Sequence, residues 1–272
     1  MDEQLQAKYA ALKDALAAYQ SVAVAFSGGT DSTLLSKVAH DVLGDAMIAI
    51  TIAGAATPSR VVDEAQGWAQ REGIRHMRIA FNELEVPEFA ANVPDRCYHC
   101  KLAIFRTILG QAAQNDCKVV ADGSNLDDQG DYRPGLRALA ELGIKSPLCD
   151  ASFTKGDVRA LSRELGLPTW NMPSAACLAS RFAYGDPITR KKLERVEEAE
   201  DYLHDLGLGQ LRVRVHGSEG ELARIEVEAE RIASLAEPNT RNKIEQQLRS
   251  LGFTYVSLDL TGFRSGAMNE AL

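Results

Sequence analysis

The chain has no run approaching the roughly 20 consecutive apolar residues that a membrane span needs. Its first 20 residues are charged, amphipathic and Ala-rich, without the separate apolar stretch and cleavage site of a signal peptide. No membrane partner is expected, and the expected compartment is the cytoplasm. Positive excess is missing too: 30 Lys and Arg stand against 38 Asp and Glu, a formal charge of −8. That balance disfavours a surface built to neutralise many phosphates, so no nucleic-acid partner is expected, and a small anionic ligand fits better. No low-complexity tract or internal repeat is present, which sets aside fibrous and disordered classes. Cysteine is scarce and odd in number, at Cys97, Cys100, Cys117, Cys149 and Cys177. Without an export signal this argues against a disulfide framework and raises metal, cluster or thiol chemistry instead.

What is present is an ordinary globular composition, 45% hydrophobic over 272 residues, enough for two domains or one large one. Apolar residues at helical spacing in 4–19 precede a short buried-strand pattern at 22–26. Helix then alternates with strand: helices at 31–43, 59–71, 98–114 and 155–165, strands at 47–52, 75–80 and 118–121. This βα series predicts an α/β fold with a parallel, doubly wound sheet whose sites lie at the C-terminal strand ends. From about Pro187 the rhythm becomes α+β, with a helix at 190–206, strands at 211–216 and 222–227, a helical pair across 229–251 and a strand at 255–260. The predicted domains are 1–182 and 187–272.

The strand at 22–26 runs straight into Ser27-Gly28-Gly29-Thr30-Asp31-Ser32, and a helical pattern follows at once. Two glycines let the backbone turn sharply and approach a ligand, while the amides and positive dipole end of the new helix attract an anion. Ser27 and Ser32 add hydroxyls. The loop lacks the Lys-Ser/Thr ending of the Walker A motif, so a kinase or GTPase mechanism is not indicated. It resembles the SGGxDS signature of the PP-loop ATP pyrophosphatases, which include NAD and GMP synthetases, asparagine synthetase and tRNA sulfur transferases. The resemblance implies attack on the α phosphate of ATP, an adenylylated substrate, and pyrophosphate gripped by this loop, with Mg²⁺ as the partner of the triphosphate.

Arg96-Cys97-Tyr98-His99-Cys100-Lys101 holds two thiols at a spacing used for metals, clusters and redox pairs, at the end of a predicted helix that favours an anion. Cys177, in Pro173-Ser174-Ala175-Ala176-Cys177-Leu178-Ala179-Ser180-Arg181-Phe182, is the candidate third thiol, because both segments fall in strand-end loops of the predicted sheet. Three thiolates leave one iron of a four-iron cluster open to exogenous sulfide. A structural zinc completed by His99, or helix-start cysteines with no shared role, are the alternatives. Cys117 and Cys149 lie beside apolar runs and read as buried packing residues. Asp122-Gly123-Ser124-Asn125-Leu126-Asp127-Asp128 follows a strand and continues to Asp131-Tyr132-Arg133. Its carboxylates suit Mg²⁺ or a ribose and Arg133 a phosphate, with a solvated acidic loop as the alternative. Arg212 and Arg214 leave the same face of a strand, which suits a phosphate or carboxylate, or else surface ion pairs. Glu200 and Glu226 read as solvated surface carboxylates.

Taken together, SGGTDS, RCYHCK, DGSNLDD with DYRPG, PSAACLASRFAYGDPIT, LRVRVHG and GFRSGAMN resemble the LarE family across nearly the whole chain. LarE proteins are ATP-dependent sulfur transferases that help build the nickel-pincer nucleotide cofactor of lactate racemase. The resemblance implies a pyridinium dicarboxylate mononucleotide as substrate, its carboxylates adenylylated and converted to thiocarboxylates. It implies ATP binding by Ser27, Gly28, Gly29, Asp31, Ser32 and Asp122, with Asp31 and the three cysteines in catalytic roles. Ser180, Arg181, Arg212 and Arg214 would bind the substrate. It further implies a smaller C-terminal domain that mediates oligomerisation, often to hexamers, with Glu200 and Glu226 at positions associated with metal. Some members sacrifice the sulfur of one loop cysteine, aligned where this chain has Ala176, whereas others bind a four-iron, four-sulfur cluster through C-x-x-C and one loop cysteine. Cys97, Cys100 and Cys177 match the cluster type, with the sulfide donor unspecified. Rival readings are a PP-loop tRNA thiolation enzyme and a non-enzymatic iron-sulfur or zinc module.

Overall fold

The computed structural model describes residues 1–130, 134–173, 176–217, 219–264 and 266–268. Two compact units result: Met1–Asn82 with Asp95–Ala175, and Glu83–Pro94 with Ala176–Leu272. In the first, helix α1 (Glu3–Tyr19) precedes strand β1 (Val22–Ala25), helix α2 (Thr30–Leu43), strand β2 (Met47–Gly54), helix α3 (Ser59–Arg71) and strand β3 (His76–Phe81). A short helix α4 (Pro87–Ala90) belongs to the other unit. The first then resumes with α5 (Arg96–Gln114), β4 (Val119–Ala121), α6 (Gly135–Glu141), α7 (Pro147–Asp150) and α8 (Lys155–Glu164).

The four strands are all parallel, in the order β3-β2-β1-β4. Strands covered on both faces read as continuous apolar runs, and alternate residues still go to opposite sides. Val22, Val24, Met47 and Ala49 join Leu12 and Leu16 of α1, Leu34 and Val38 of α2, Trp68 of α3 and Leu161 of α8. Ala23, Ile48, Ile50 and Val120 join Phe105 and Ile108 of α5 and Leu139 of α6. Each large aliphatic side chain so enclosed contributes about 1.5–3 kcal/mol, which makes the two faces, rather than helix propensity, the main support of the flanking helices. The sheet is therefore doubly wound, as the sequence pattern predicts. Strands β2 and β3 lie to one side of β1 and β4 to the other, so a crevice opens between the C-terminal ends of β1 and β4.

The second unit contains α9 (Arg190–Asp205), β5 (Leu211–His216), β6 (Leu222–Val227), α10 (Ile232–Ala236), α11 (Pro238–Ser250) and β7 (Tyr255–Leu258). Its sheet is ordered β5-β6-β7, antiparallel between the first pair and parallel between the second. The segment 83–94 joins this unit through the backbone: the Asn92 side-chain amide donates to the carbonyls of Ala183 at 2.6 Å and Asp186 at 2.9 Å. The amides of Gly185 and Ile188 donate in turn to Asn92 and Ala90. Residues 176–182, placed in the first domain by composition, pack with the second unit. Among the described residues no helix is long and apolar enough to cross a membrane.

Candidate active site

At the end of β1 the chain turns through Gly28, whose φ is +76°. A Cβ there would stand 2.9 Å from the Cβ of Ala65 on α3. Glycine is therefore required twice, by the left-handed backbone and by the approach of the neighbouring helix. Gly29 is the N-cap of α2 and carries no side chain to satisfy the first-turn amides, which leaves them for a ligand. The hydroxyls of Ser27 and Ser32 stand 3.0 Å apart, and the Ser27 amide donates to Ser32 Oγ at 3.2 Å, closing the loop on itself. From the β4 side, Gly123 lies so near that a Cβ would meet the Ser32 amide nitrogen at 3.0 Å. The two loops thus approach each other backbone to backbone at this point.

Asp31 projects from the first turn of α2. Its carboxylate accepts from the Asn125 amide at 3.0 Å and forms an ion pair with Lys155 at the start of α8. Asp127 accepts the Lys155 backbone amide at 2.8 Å, and Asp128 accepts that of Asn125 at 3.0 Å. Buried Asp122 accepts hydroxyls from Ser124 at 2.5 Å and Ser146 at 2.6 Å. The acidic loop is thus a hydrogen-bonded frame, with Asp122 buried and Asp127 exposed. It borders a cavity of about 340 Å³ whose wall includes Ser27, Asp31, Ser32, Asp122 and Asp128. Asp131, Tyr132 and Arg133 lie outside the described residues.

Lys101, Ile104 and Ile108 of α5 line the same cavity. Cys97 precedes Lys101 by four residues and Ile104 by seven, and Cys100 precedes Ile104 by four, so both lie on the turns of α5 that lead up to the lining residues, and neither is itself on the cavity wall. Cys97 is exposed and Cys100 half-buried. His99, proposed above as a zinc ligand, approaches Asp95 at 3.3 Å. Among the described residues no three His, Cys, Asp or Glu side chains form a metal cradle. Cys117 and Cys149 are half-buried rather than fully enclosed. Burial pushes the Cys117 thiol up, while Cys149 donates to the Ser124 carbonyl at 3.3 Å. Sequence reading missed Lys101, Lys155 and Asn125 as site residues. Lys101 was accessible from its spacing to Cys97, whereas the meeting of Lys155 with Asp31 spans 124 positions of chain.

The second unit gathers the other predicted residues. Glu200 and Glu226, which sequence alone reads as solvated, are 5% and 1% exposed. The correction has a clear cause, since each is neutralised by arginine: isolated charges avoid the interior, but bidentate pairs are tolerated there. Arg181 donates to both oxygens of Glu200, at 2.8 and 2.6 Å, and also to the carbonyls of Ala176 and Cys177 and to the Ser180 hydroxyl. Glu200 additionally accepts the Val213 amide at 2.8 Å. Arg214 donates to Glu226 at 2.9 Å and to the Ser180 carbonyl at 2.9 Å, and Arg224 reaches the remaining oxygen of Glu226 at 3.2 Å. Both carboxylates are thereby paired with guanidinium groups. Arg181 is likewise committed to the fold, away from the substrate role expected of it. Arg212 lies over the ring of Phe263, and burial, with Arg181 acting in the same sense, pushes its pKa down to about 10. The guanidinium remains charged at neutral pH and donates to the Leu211 carbonyl at 2.6 Å. Exposed Cys177 sits at the edge of this ladder, its carbonyl fixed by Arg181.

A parallel sheet whose central strand enters a Ser-Gly-Gly-x-Asp-Ser turn, with the acidic loop of the next strand over it, defines an enzyme of the PP-loop class. No family model matches the chain. It is 42% identical over 269 residues to the pyridinium-3,5-bisthiocarboxylic acid mononucleotide synthase of Lactiplantibacillus plantarum, covering 98% of this chain and 96% of that protein. An uncharacterized protein of Synechocystis sp. is also 42% identical, over 268 residues and 98% and 99% of the two chains. The tRNA-specific 2-thiouridylase MnmA of Azorhizobium caulinodans is 29% identical over 243 residues, 74% of this chain and 62% of that one. The chain belongs to the LarE family of ATP-using sulfur transferases.

Proposed function

We propose that this enzyme adenylylates the carboxylates of pyridinium-3,5-biscarboxylic acid mononucleotide and converts them to thiocarboxylates for a nickel-pincer cofactor. The observation that carries the reading is the cavity at the β1 and β4 strand ends, where the loop at 27–32, Lys101 and the acidic frame meet, in a chain similar over nearly its full length to a synthase of that bisthiocarboxylic acid product. A substrate carboxylate oxygen attacks the α phosphorus of ATP, the bond to the bridging oxygen breaks, and pyrophosphate leaves against the amides of Gly29 and α2. Lys101 offsets charge on the triphosphate, and Mg²⁺ accompanies it. Sulfide then displaces AMP from the acyl adenylate. Arg212, Arg214 and Ser180 hold the mononucleotide phosphate, and Arg181 acts as a positioning residue for the 176–180 loop.

Cys97 and Cys100, on one helical stripe, and Cys177 are the residues proposed to hold a four-iron, four-sulfur cluster, which when bound would supply sulfide. Anaerobic reconstitution with iron and sulfide analysis, followed by mass spectrometry after turnover, separates this from sacrifice. Loss of about 34 Da at Cys177 would mark sacrifice through dehydroalanine. The second unit is the proposed oligomerisation module, with β7 at the sheet edge and Tyr255 and Leu260 63% and 88% exposed.

Pyrophosphate release tests the whole reading. Turnover should require the dicarboxylate mononucleotide and fall by at least about 100-fold in Asp31→Asn, the order expected when a transition-state contact is lost. Release that is instead stimulated by tRNA, with salt-sensitive tRNA binding in a gel shift, would move the chain to tRNA thiolation.

A further inference from the structure

Beneath the loop at 27–32 a chain of polar groups runs across the sheet from β3 to Ser32. His76 opens β3 in register with Ala49 of β2. Ala49 and Thr51 point to one face of their strand, so the His76 ring stands beside Thr51. Its Nε2 lies 2.9 Å from Thr51 Oγ1, and the Thr51 hydroxyl donates to the Phe26 carbonyl at 2.7 Å. Thr51 is 2% exposed, and a hydroxyl so enclosed is held by its protein partners. The Phe26 carbonyl shares one planar peptide group with the Ser27 amide, and that amide donates to Ser32 Oγ at 3.2 Å. Ser32 Oγ donates in turn to the Gly29 carbonyl at 3.2 Å. The peptide between Phe26 and Ser27 is therefore pinned on both edges, and it cannot rotate without releasing a hydroxyl of the loop.

Counting protons gives the chain a direction. A threonine hydroxyl carries one proton. Spent on Phe26, it leaves Thr51 only lone pairs to offer, so the imidazole must supply an Nε2–H. Were Nε2 bare, it would draw the Thr51 proton away, and the Phe26 carbonyl would lose its donor. Burial, with Arg78 acting in the same sense, pushes the His76 pKa down, so the ring is neutral at neutral pH and has one proton to place. The ring is held by Phe26 itself, the two meeting edge to face with centroids 6.0 Å apart. We infer that His76 and Thr51 are positioning residues for the phosphate loop: a proton-ordered relay, from His76 Nε2–H through Thr51 to the Phe26 carbonyl, sets the peptide plane that carries the Ser27 amide and, through it, the Ser32 hydroxyl. The inference rests on the reading of 27–32 as the triphosphate site.

Two measurements on the intact protein test it. Nitrogen-15 NMR of the imidazoles, with the His76 signals identified among the five histidines by their loss in His76→Gln, should show the Nε2-protonated tautomer at neutral pH. An Nδ1-protonated ring would overturn the relay, and this readout needs no ligand. Calorimetric titration with Mg²⁺ and a non-hydrolysable ATP analogue should show that Thr51→Val and His76→Phe each weaken binding by about 10-fold, the scale of one lost hydrogen bond. Thr51→Ser keeps the hydroxyl and His76→Gln keeps a donor at the place of Nε2, so both should bind as the parent does. A packing role would invert that order, because phenylalanine keeps a ring and glutamine does not. Equal affinities in the phenylalanine and glutamine variants, or tighter binding by the phenylalanine variant, would therefore overturn the inference. Should an apolar variant fail to fold, the tautomer of the parent still decides. A parent that binds no analogue would remove the triphosphate reading instead, with the tautomer deciding the relay separately.

Discussion

Gly28 carries two constraints at once, and its replacement separates geometry from chemistry. Gly28→Ala places a Cβ against Ala65 in a backbone conformation that alanine resists, which should destabilise the protein by about 1–3 kcal/mol and lower pyrophosphate release more than its melting shift explains. Thermal unfolding alongside the release assay checks it. This glycine was legible because a strand, a tight loop and a helix start coincide in a few residues. Glu200 and Glu226 were not, because a charged residue on an amphipathic helix or strand carries no mark of the arginine it will meet. The Arg181–Glu200 pair, 2% and 6% exposed at the side chains, should behave as buried pairs do when one partner is removed: Arg181→Met should cost about 3–5 kcal/mol, largely recovered by adding Glu200→Leu. A double-mutant cycle in urea measures both. Failure of the second substitution to recover stability would show that the carbonyl contacts of Arg181, rather than the stranded carboxylate, dominate.

Among the elements, α8 shows how a local signal is reinforced from a distance. Thr154 caps the helix, with its Oγ1 accepting the Asp157 amide and its own amide donating to Asp157, a reciprocal box readable from sequence. Lys8 of α1 adds an ion pair to Asp157 at 2.6 Å, 149 residues away in the chain and invisible to any local pattern. Burial pushes the Asp157 carboxyl up, but the hydrogen bonds from Lys8 and Thr154 outweigh it and hold the group below its usual range. A depressed carboxyl stabilises the fold above the unfolded value, about 3.9, and that stability is lost as pH falls through the folded value. Asp157→Asn should therefore be less stable than the parent at neutral pH and lose less further stability below about pH 4, as acid titrations of thermal stability will report. Longer elements were legible because their apolar period runs for many residues, and β5 and β6 fall where alternation places them. Helices α4, α6 and α7 were missed: four to seven residues long, they hold too few turns to show a period. The return of 83–94 to the second unit rests on Asn92 and backbone bonds, which hydrophobic pattern does not record.

At the scale of the molecule, the chain divides into two units. One unit holds the loop at 27–32 with Cys97 and Cys100; the other holds the arginines and the exposed Cys177. Ser180 joins two partners in the second unit: its carbonyl accepts from Arg214 and its hydroxyl from Arg181, which also grips the Cys177 carbonyl. On the proposal that the mononucleotide phosphate draws on Arg214, its binding disturbs the hydrogen bonds that set the backbone beside Cys177. On the proposed function the substrate's distal end would then act as a password, read before sulfide is delivered, so that an activated but wrongly shaped acid is not sulfurated. A dephosphorylated pyridinium nucleoside should accordingly show a kcat reduced by more than about 10-fold even at saturation, the signature of remote binding energy spent on alignment rather than affinity. An effect confined to KM would mean that the phosphate anchors the substrate and says nothing to the cysteine.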